Sequence, residues 1–196
     1  PYQYCPRTIL QRQLAKAEDL GYTFNVGVEA EFMLLKQDEQ GNYTPWDSLD
    51  TLDKPCYDLR ALHRNLDVMT TLLRNLEELG WGPYANDHED ANCQFEINWH
   101  YSDALTTADR HTFYKWMVKT VAEEHGLHGT FMPKPFANLT GNGAHFHMSL
   151  WDLDNKTELF LDEQNENGLS ELAYQFMAGI LHHAKALAAV TNPLVN

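Results

Sequence analysis

Basic residues are scarce in this sequence: 14 Lys and Arg stand against 28 Asp and Glu in 196 residues, a formal charge of −14 with histidine neutral. The bases are scattered singly, so there is no positive stripe along which a phosphate backbone could lie, and nucleic acid is excluded as a partner. No uncharged apolar run approaches the roughly 20 residues needed to span a bilayer, and no membrane partner is expected. Cysteine is confined to Cys5, Cys56 and Cys93, an odd set spaced too widely for a disulfide scaffold or a paired-cysteine zinc site. With no secretory leader at the start, a reducing, cytoplasmic setting is expected. Internal repeats and low-complexity tracts are also missing, which sets aside solenoids and disordered tails.

Core-forming residues are plentiful. Apolar residues make up 43% of the chain and aromatics 12%, enough to fill one large domain or two small ones. The chain opens on Pro1 without an initiator Met and stops at Asn196 just after a helix-breaking Asn192-Pro193, so it reads as a piece of something longer.

Helical spacing of Ile9, Leu10, Leu14, Ala17 and Leu20 after Pro6 predicts a first helix capped by Gly21. Phe24 to Leu34 alternates strictly, which predicts one half-buried strand with Asn25, Gly27, Glu29, Glu31 and Met33 on its polar side. Asp- and Pro-rich residues 36–58 read as a turn and a long surface loop. A leucine stripe from Leu59 to Leu79 predicts one long amphipathic helix closed by Gly80. A loop and strand over 81–101, a helix over 107–125 stopped by Gly126, and strands at 128–132 and 143–151 follow. The last helix has Leu172, Phe176, Ile180, Leu181, Leu187 and Val190 facing inward. The clearest strands are half polar, which a doubly covered parallel sheet would not tolerate. The expected fold class is therefore α+β, a mainly antiparallel sheet with helices on one face and a wet, functional face opposite.

The polar faces of three strands carry metal-ligand side chains. Glu29 and Glu31 project from one face roughly 6.8 Å apart, and like charges there repel unless a cation sits between them. Residues 93–99 place Gln94, Glu96 and Asn98 on one side, after the acidic approach Asp87-His88-Glu89-Asp90. Residues 144–150 place His145, His147 and Ser149 on one side. Carboxylates outnumber imidazoles and no thiolate joins them, which favours Mg²⁺ or Mn²⁺ over zinc or copper. Such ions suit phosphoryl transfer. In residues 134–149, Gly141 and Gly143 let the backbone approach a ligand closely, and the segment lacks the Gly-Lys-Ser/Thr ending of a Walker loop.

Together these residues resemble the catalytic domain of the glutamine synthetase family over nearly the whole chain. Lys134-Pro135, the Gly141-Asn142-Gly143 turn, His145 and Ser149 fit that family's ATP-region signature. Gly27-Val28-Glu29-Ala30-Glu31-Phe32, Phe131-Met132-Pro133-Lys134-Pro135 and Asn192-Pro193-Leu194-Val195-Asn196 are similar to other family motifs. The resemblance implies that 1–196 is a partial catalytic domain, with an N-terminal β-grasp domain and a C-terminal portion absent. It further implies that Glu29 and His145 ligate the metal holding the ATP phosphates, and that Glu31, Glu89 and Glu96 ligate a second metal beside glutamate. Thr140 and Gly141, with Glu31, would contact glutamate. His147, Ser149, Tyr101 and Lys134 would contact ATP. The main catalytic arginines and a glutamate would lie beyond Asn196, so the 196 residues alone are expected to be inactive.

The implied reaction joins glutamate to ammonia through γ-glutamyl phosphate at the expense of ATP, in a ring-shaped homo-oligomer, a dodecamer when full length. Residues 88–94 depart from the Pro/Ala-Gly-Gln turn usual in housekeeping members and resemble the branch that includes type III ligases, γ-glutamylmethylamide synthetases and γ-glutamylpolyamine synthetases. Methylamine or a polyamine is thus an alternative to ammonia. A catalytically silent relative kept as an assembly module is a further alternative, against which stands the retention of all five ligand residues.

Overall fold

The computed structural model describes residues 2–192, so of the Asn192–Asn196 motif only Asn192 is described. The described residues form eight strands and six helices: α1 (Pro6–Asp19), β1 (Tyr22–Ala30), β2 (Phe32–Gln37), β3 (Tyr43–Pro45), α2 (Leu59–Arg64), α3 (Leu66–Glu78), β4 (Pro83–His88), β5 (Gln94–Trp99), β6 (Ser102–Asp103), α4 (Ala104–Glu124), β7 (His128–Thr130), β8 (Ala144–Asp152), α5 (Glu171–His182) and α6 (Ala184–Thr191). The strands form two sheets, ordered β6-β1-β8 and β3-β2-β5-β4, with β7 added to β2. Every pairing of β2 and that of β4 with β5 is antiparallel. The α+β expectation holds, with two sheets where one was expected. Among the described residues no helix is long and apolar enough to cross a membrane.

The chain divides into two compact units. One comprises Pro1–Val26, Asp103–Leu105 and His147–Asn196, the other Gly27–Ser102 and Thr106–Phe146. Within the first, Phe176 of α5 meets Phe24 at 6.0 Å and Phe160 at 5.1 Å between ring centroids. Ser170 caps α5, its hydroxyl accepting from the Ala173 amide at 3.2 Å, which satisfies one orphan donor of the first turn. Within the second, Phe32, Phe95, Trp99, Tyr114 and Phe131 form a continuous aromatic core. A smaller cluster of Met33, Leu35 and Ala91 takes Phe136 and Leu139 against it, which anchors the approach to the glycine turn.

Several expectations are corrected. The strand over 24–34 is two strands that break at Glu31. The break follows from Phe32, Met33, Leu34 and Leu35 all being buried, a run that alternation cannot place on one face. The leucine helix breaks at Asn65, a buried residue whose side chain donates to the Ala61 carbonyl and accepts from the Trp46 indole. That interior polar anchor stands between α2 and α3, outside the helical conformation of both. The 36–58 loop is partly structure: β2 runs to Gln37, β3 pairs with it, and Asp47 and Asp50 are buried.

In β5 the polar side is not wet, since all six residues are buried. In β8 the expected apolar side, Phe146 and Met148 included, is exposed, and only Leu150 is buried. The last helix divides at His183 into α5 and α6. Leu181 and Val190, expected inside, are 75% and 79% exposed, and Leu187 is exposed as well.

Candidate active site

Three strands bring a carboxylate-rich group together within the second unit. Glu29 of β1, Glu96 of β5 and His145 of β8 each present a ligand atom within 4.8 Å of the other two. His145 Nδ1 lies 3.8 Å from Glu29 Oε2. Glu96 is buried, Glu29 half-buried and His145 exposed, so the group opens to solvent on the imidazole side. Two carboxylate oxygens and one imidazole nitrogen form a mixed, oxygen-rich donor set that fits a hard or borderline divalent cation such as Mg²⁺ or Mn²⁺. Glu96 joins Glu29 and His145 here, whereas the resemblance grouped it with Glu31 and Glu89.

Electrostatics mark the same place. Burial, then the charges of Glu96, Glu31 and Asp87, push the Glu89 carboxyl up to about 7. Burial raises Glu96 as well; the Asn98 amide, donating to its Oε1 at 3.0 Å, and nearby His145 oppose the rise, while Glu29 and Glu31 add to it. Asp87 is raised by burial and by Glu29. Carboxylates that raise one another are neutralised either by protons or by a metal ion. The Cys56 thiol, 3.9 Å from Glu89 Oε2, is raised by burial and by the charges of Glu89 and Asp90.

Glu31 sits at the junction of β1 and β2, locked to the glycine turn. Its amide donates to the Gly143 carbonyl at 3.1 Å, and its Oε2 accepts from Gly143 N and from Gln94 Nε2, each at 2.9 Å. Gly141 is glycine because a Cβ there would overlap the Pro133 carbonyl oxygen. The Thr140 hydroxyl donates to Asp90 at 2.5 Å, and Asp90 faces Lys54 at 3.8 Å. The Lys134 ammonium donates to the Leu139 carbonyl and so closes the turn that leads to Thr140.

The remaining predicted contacts are residues 101, 147 and 149. His147 and Ser149 belong to the first unit; His147 is exposed, and the Ser149 hydroxyl accepts from the Trp151 indole at 2.9 Å. Tyr101, between β5 and β6, is exposed. Sequence reasoning missed the supports beneath the site, Asp50 above all. Asp50 Oδ2 takes His88 Nε2 at 2.8 Å and the Cys93 amide at 2.6 Å, and Oδ1 takes the Asn92 amide at 3.2 Å. An acid in an Asp- and Pro-rich stretch carries no sequence mark of burial.

Comparison with known proteins gives the family. Residues 3–196 match the family model described as glutamine synthetase, catalytic domain. The chain is 52% identical over 196 residues to a glutamine synthetase of Rhizobium meliloti, covering all of this chain and 44% of that protein. It is 47% identical over 198 residues to a glutamate–methylamine ligase of Methyloversatilis universalis, again covering all of this chain and 44% of the relative. A solved GmaS/ADP complex superposes with a TM-score of 0.94 at 52% identity, over all of this chain and 44% of that one. A Plasmodium falciparum glutamine synthetase superposes with a TM-score of 0.79 at 28% identity, over 96% of this chain and 42% of that one. The chain therefore spans less than half the length of the relatives it matches. On the family match and the shared fold, this chain belongs to the glutamine synthetase catalytic-domain family.

Proposed function

We propose that the whole protein is an ATP-dependent ligase that forms a γ-glutamyl amide from glutamate and an amine through γ-glutamyl phosphate, and that these 196 residues supply its cation-holding part. The observation that carries this reading is the convergence of Glu29, Glu96 and His145 beside the raised carboxyl of Glu89. Glu29, Glu96 and His145 would hold a divalent cation, with Glu31 and Glu89 available to a second. Such ions supply charge neutralisation for the transferring phosphoryl group. The chain's own residues do the positioning: the Thr140–Gly141 turn orients glutamate, while His147, Ser149, Tyr101 and Lys134 serve the nucleotide. Catalytic arginines come from outside the 196 residues, which alone are inactive. The whole protein works as a homo-oligomer.

Ammonia is the first reading for the amine, in keeping with the similarity to the Rhizobium meliloti protein. Methylamine is the second, favoured by the similarity to the glutamate–methylamine ligase and to GmaS and by the departure at residues 88–94. The deciding experiment supplies the whole protein with ATP, Mg²⁺, glutamate and, in turn, ammonia, methylamine or putrescine, and follows phosphate release and the amide by mass spectrometry. One amine is expected to give stoichiometric amide and phosphate. Mn²⁺ binding without amide from any amine would make the protein a silent relative and end the ligase reading.

A further inference from the structure

Gln94 is fully buried, and its side chain has more acceptors than it has hydrogens. Its Nε2 lies 2.9 Å from each of three oxygens: Glu31 Oε2, the Gly141 carbonyl and Asn142 Oδ1. The orientation of the amide is fixed by its other end, since Oε1 accepts from the Ala91 amide at 2.9 Å. Asn142 is fixed in the same way, its Nδ2 donating to the carbonyls of Met132 at 2.9 Å and Thr130 at 3.3 Å, so its oxygen must face Gln94. A primary amide has two N–H donors. Three acceptors therefore compete for two hydrogens in a partly buried setting, and Glu31 Oε2 alone of the three has the Gly143 amide as a further donor here. One acceptor is a carboxylate of the candidate site and the other two belong to the glycine turn, whose backbone is closed by Asn142 N donating to the Pro133 carbonyl at 2.8 Å.

From this shortage we infer that Gln94 is a positioning residue that couples cation occupancy at Glu31 to the order of the turn at residues 133–143. The inference rests on the proposed reading, in which Glu31 faces a cation and the turn receives glutamate. A cation drawing on the Glu31 carboxylate makes Oε2 a poorer acceptor. The Gln94 hydrogen then settles on Gly141 and Asn142, and the turn that would receive glutamate tightens. Because coupling is reciprocal, a ligand ordering the turn raises cation affinity by the same factor.

The test measures Mn²⁺ binding by electron paramagnetic resonance, with and without glutamate, on the whole protein, and hydrogen exchange by mass spectrometry over peptides covering residues 133–142. In the unaltered protein, Mn²⁺ is expected to slow exchange in those peptides and to tighten glutamate binding by about 5-fold or more. Gln94→Met, similar in length but without donors, is expected to bind Mn²⁺ while the mutual effect falls below about twofold. Asn142→Ala, which leaves two acceptors for two hydrogens, is expected to reduce it by a separate route. Retention of the full effect in a folded Gln94→Met protein, or Mn²⁺ binding that leaves exchange over 133–142 unaltered, overturns the coupling and spares the ligase reading. Failure of the unaltered protein to bind Mn²⁺ overturns the cation reading and this inference with it.

Discussion

Asp50 and His88 form a fully buried pair, Oδ2 to Nε2 at 2.8 Å with neither side chain exposed, and the pair joins an irregular loop to the end of β4 just before Glu89. The same aspartate also receives the Asn92 side chain and the Cys93 amide. One carboxylate thus holds the strand end and the following turn on either side of Glu89. Removing it strands the His88 ring nitrogen and the Cys93 amide in the interior. Asp50→Ala should lower the unfolding free energy by about 2–3 kcal/mol, the scale for leaving buried hydrogen-bonding groups without partners. Urea titration of the variant would show it, and a loss below about 0.5 kcal/mol, the scale of a surface substitution, would contradict it.

A second prediction concerns the glycine turn. A Cβ on Gly141 overlaps the Pro133 carbonyl oxygen, a backbone atom that cannot swing aside as a side chain can. Gly141→Ala should therefore cost about 1–3 kcal/mol and open the turn. At Gly143 a Cβ would come 3.2 Å from Glu31 Oε1, and a small rotation of that carboxylate could absorb it. Gly143→Ala should accordingly destabilise less but disturb Glu31 more. Comparing the two by thermal melting and by Mn²⁺ affinity checks the contrast: equal melting losses would remove it.

The third prediction is a pH dependence of stability in metal-free buffer. The Glu89 carboxyl is raised from 4.5 to about 7, and Glu96 is raised also. A carboxyl with a raised folded value binds more protons folded than unfolded between those two pH values, so stability falls as pH rises from about 4.5 to about 7 and levels off above. After allowance for solvent screening of the half-buried Glu89, the fall is on the order of 1 kcal/mol. Millimolar Mn²⁺ should flatten the slope, because a cation then meets the charge that protons otherwise cancel. Chemical denaturation at several pH values, with and without the metal, measures both; a slope that metal leaves unaltered would separate the carboxylates from any cation site.

Much of this site is legible in the sequence, and what is not has physical causes. Alternation about Glu29 and His145 placed both on strand faces, and those faces do meet, with Glu96 of a third strand. Alternation does not show where a strand changes sheets, and at Glu31 the chain leaves β1 for the buried run Phe32–Leu35 of β2 in the other sheet. Asn65 breaks the leucine stripe through contacts to Trp46 and Ala61, a tertiary anchor that a one-dimensional period does not contain. For Leu181 and Val190 the helical spacing held while the inward direction did not, because periodicity gives a helix a face without saying what lies opposite it.

Cys93 opens a different view of the turn between β4 and β5. It is a non-glycine residue in the left-handed region, at φ 58°, and is completely buried. The side chain that makes this conformation costly also provides the sulfur that accepts from the Asp47 amide at 3.2 Å. A glycine there would relieve the backbone but give up the sulfur contact, leaving the Asp50 carboxylate to tie the turn to the loop. With cysteine the turn is a tenant of the 46–50 loop on both counts: its shape survives only while that loop is in place, so the two segments must form together and fail together.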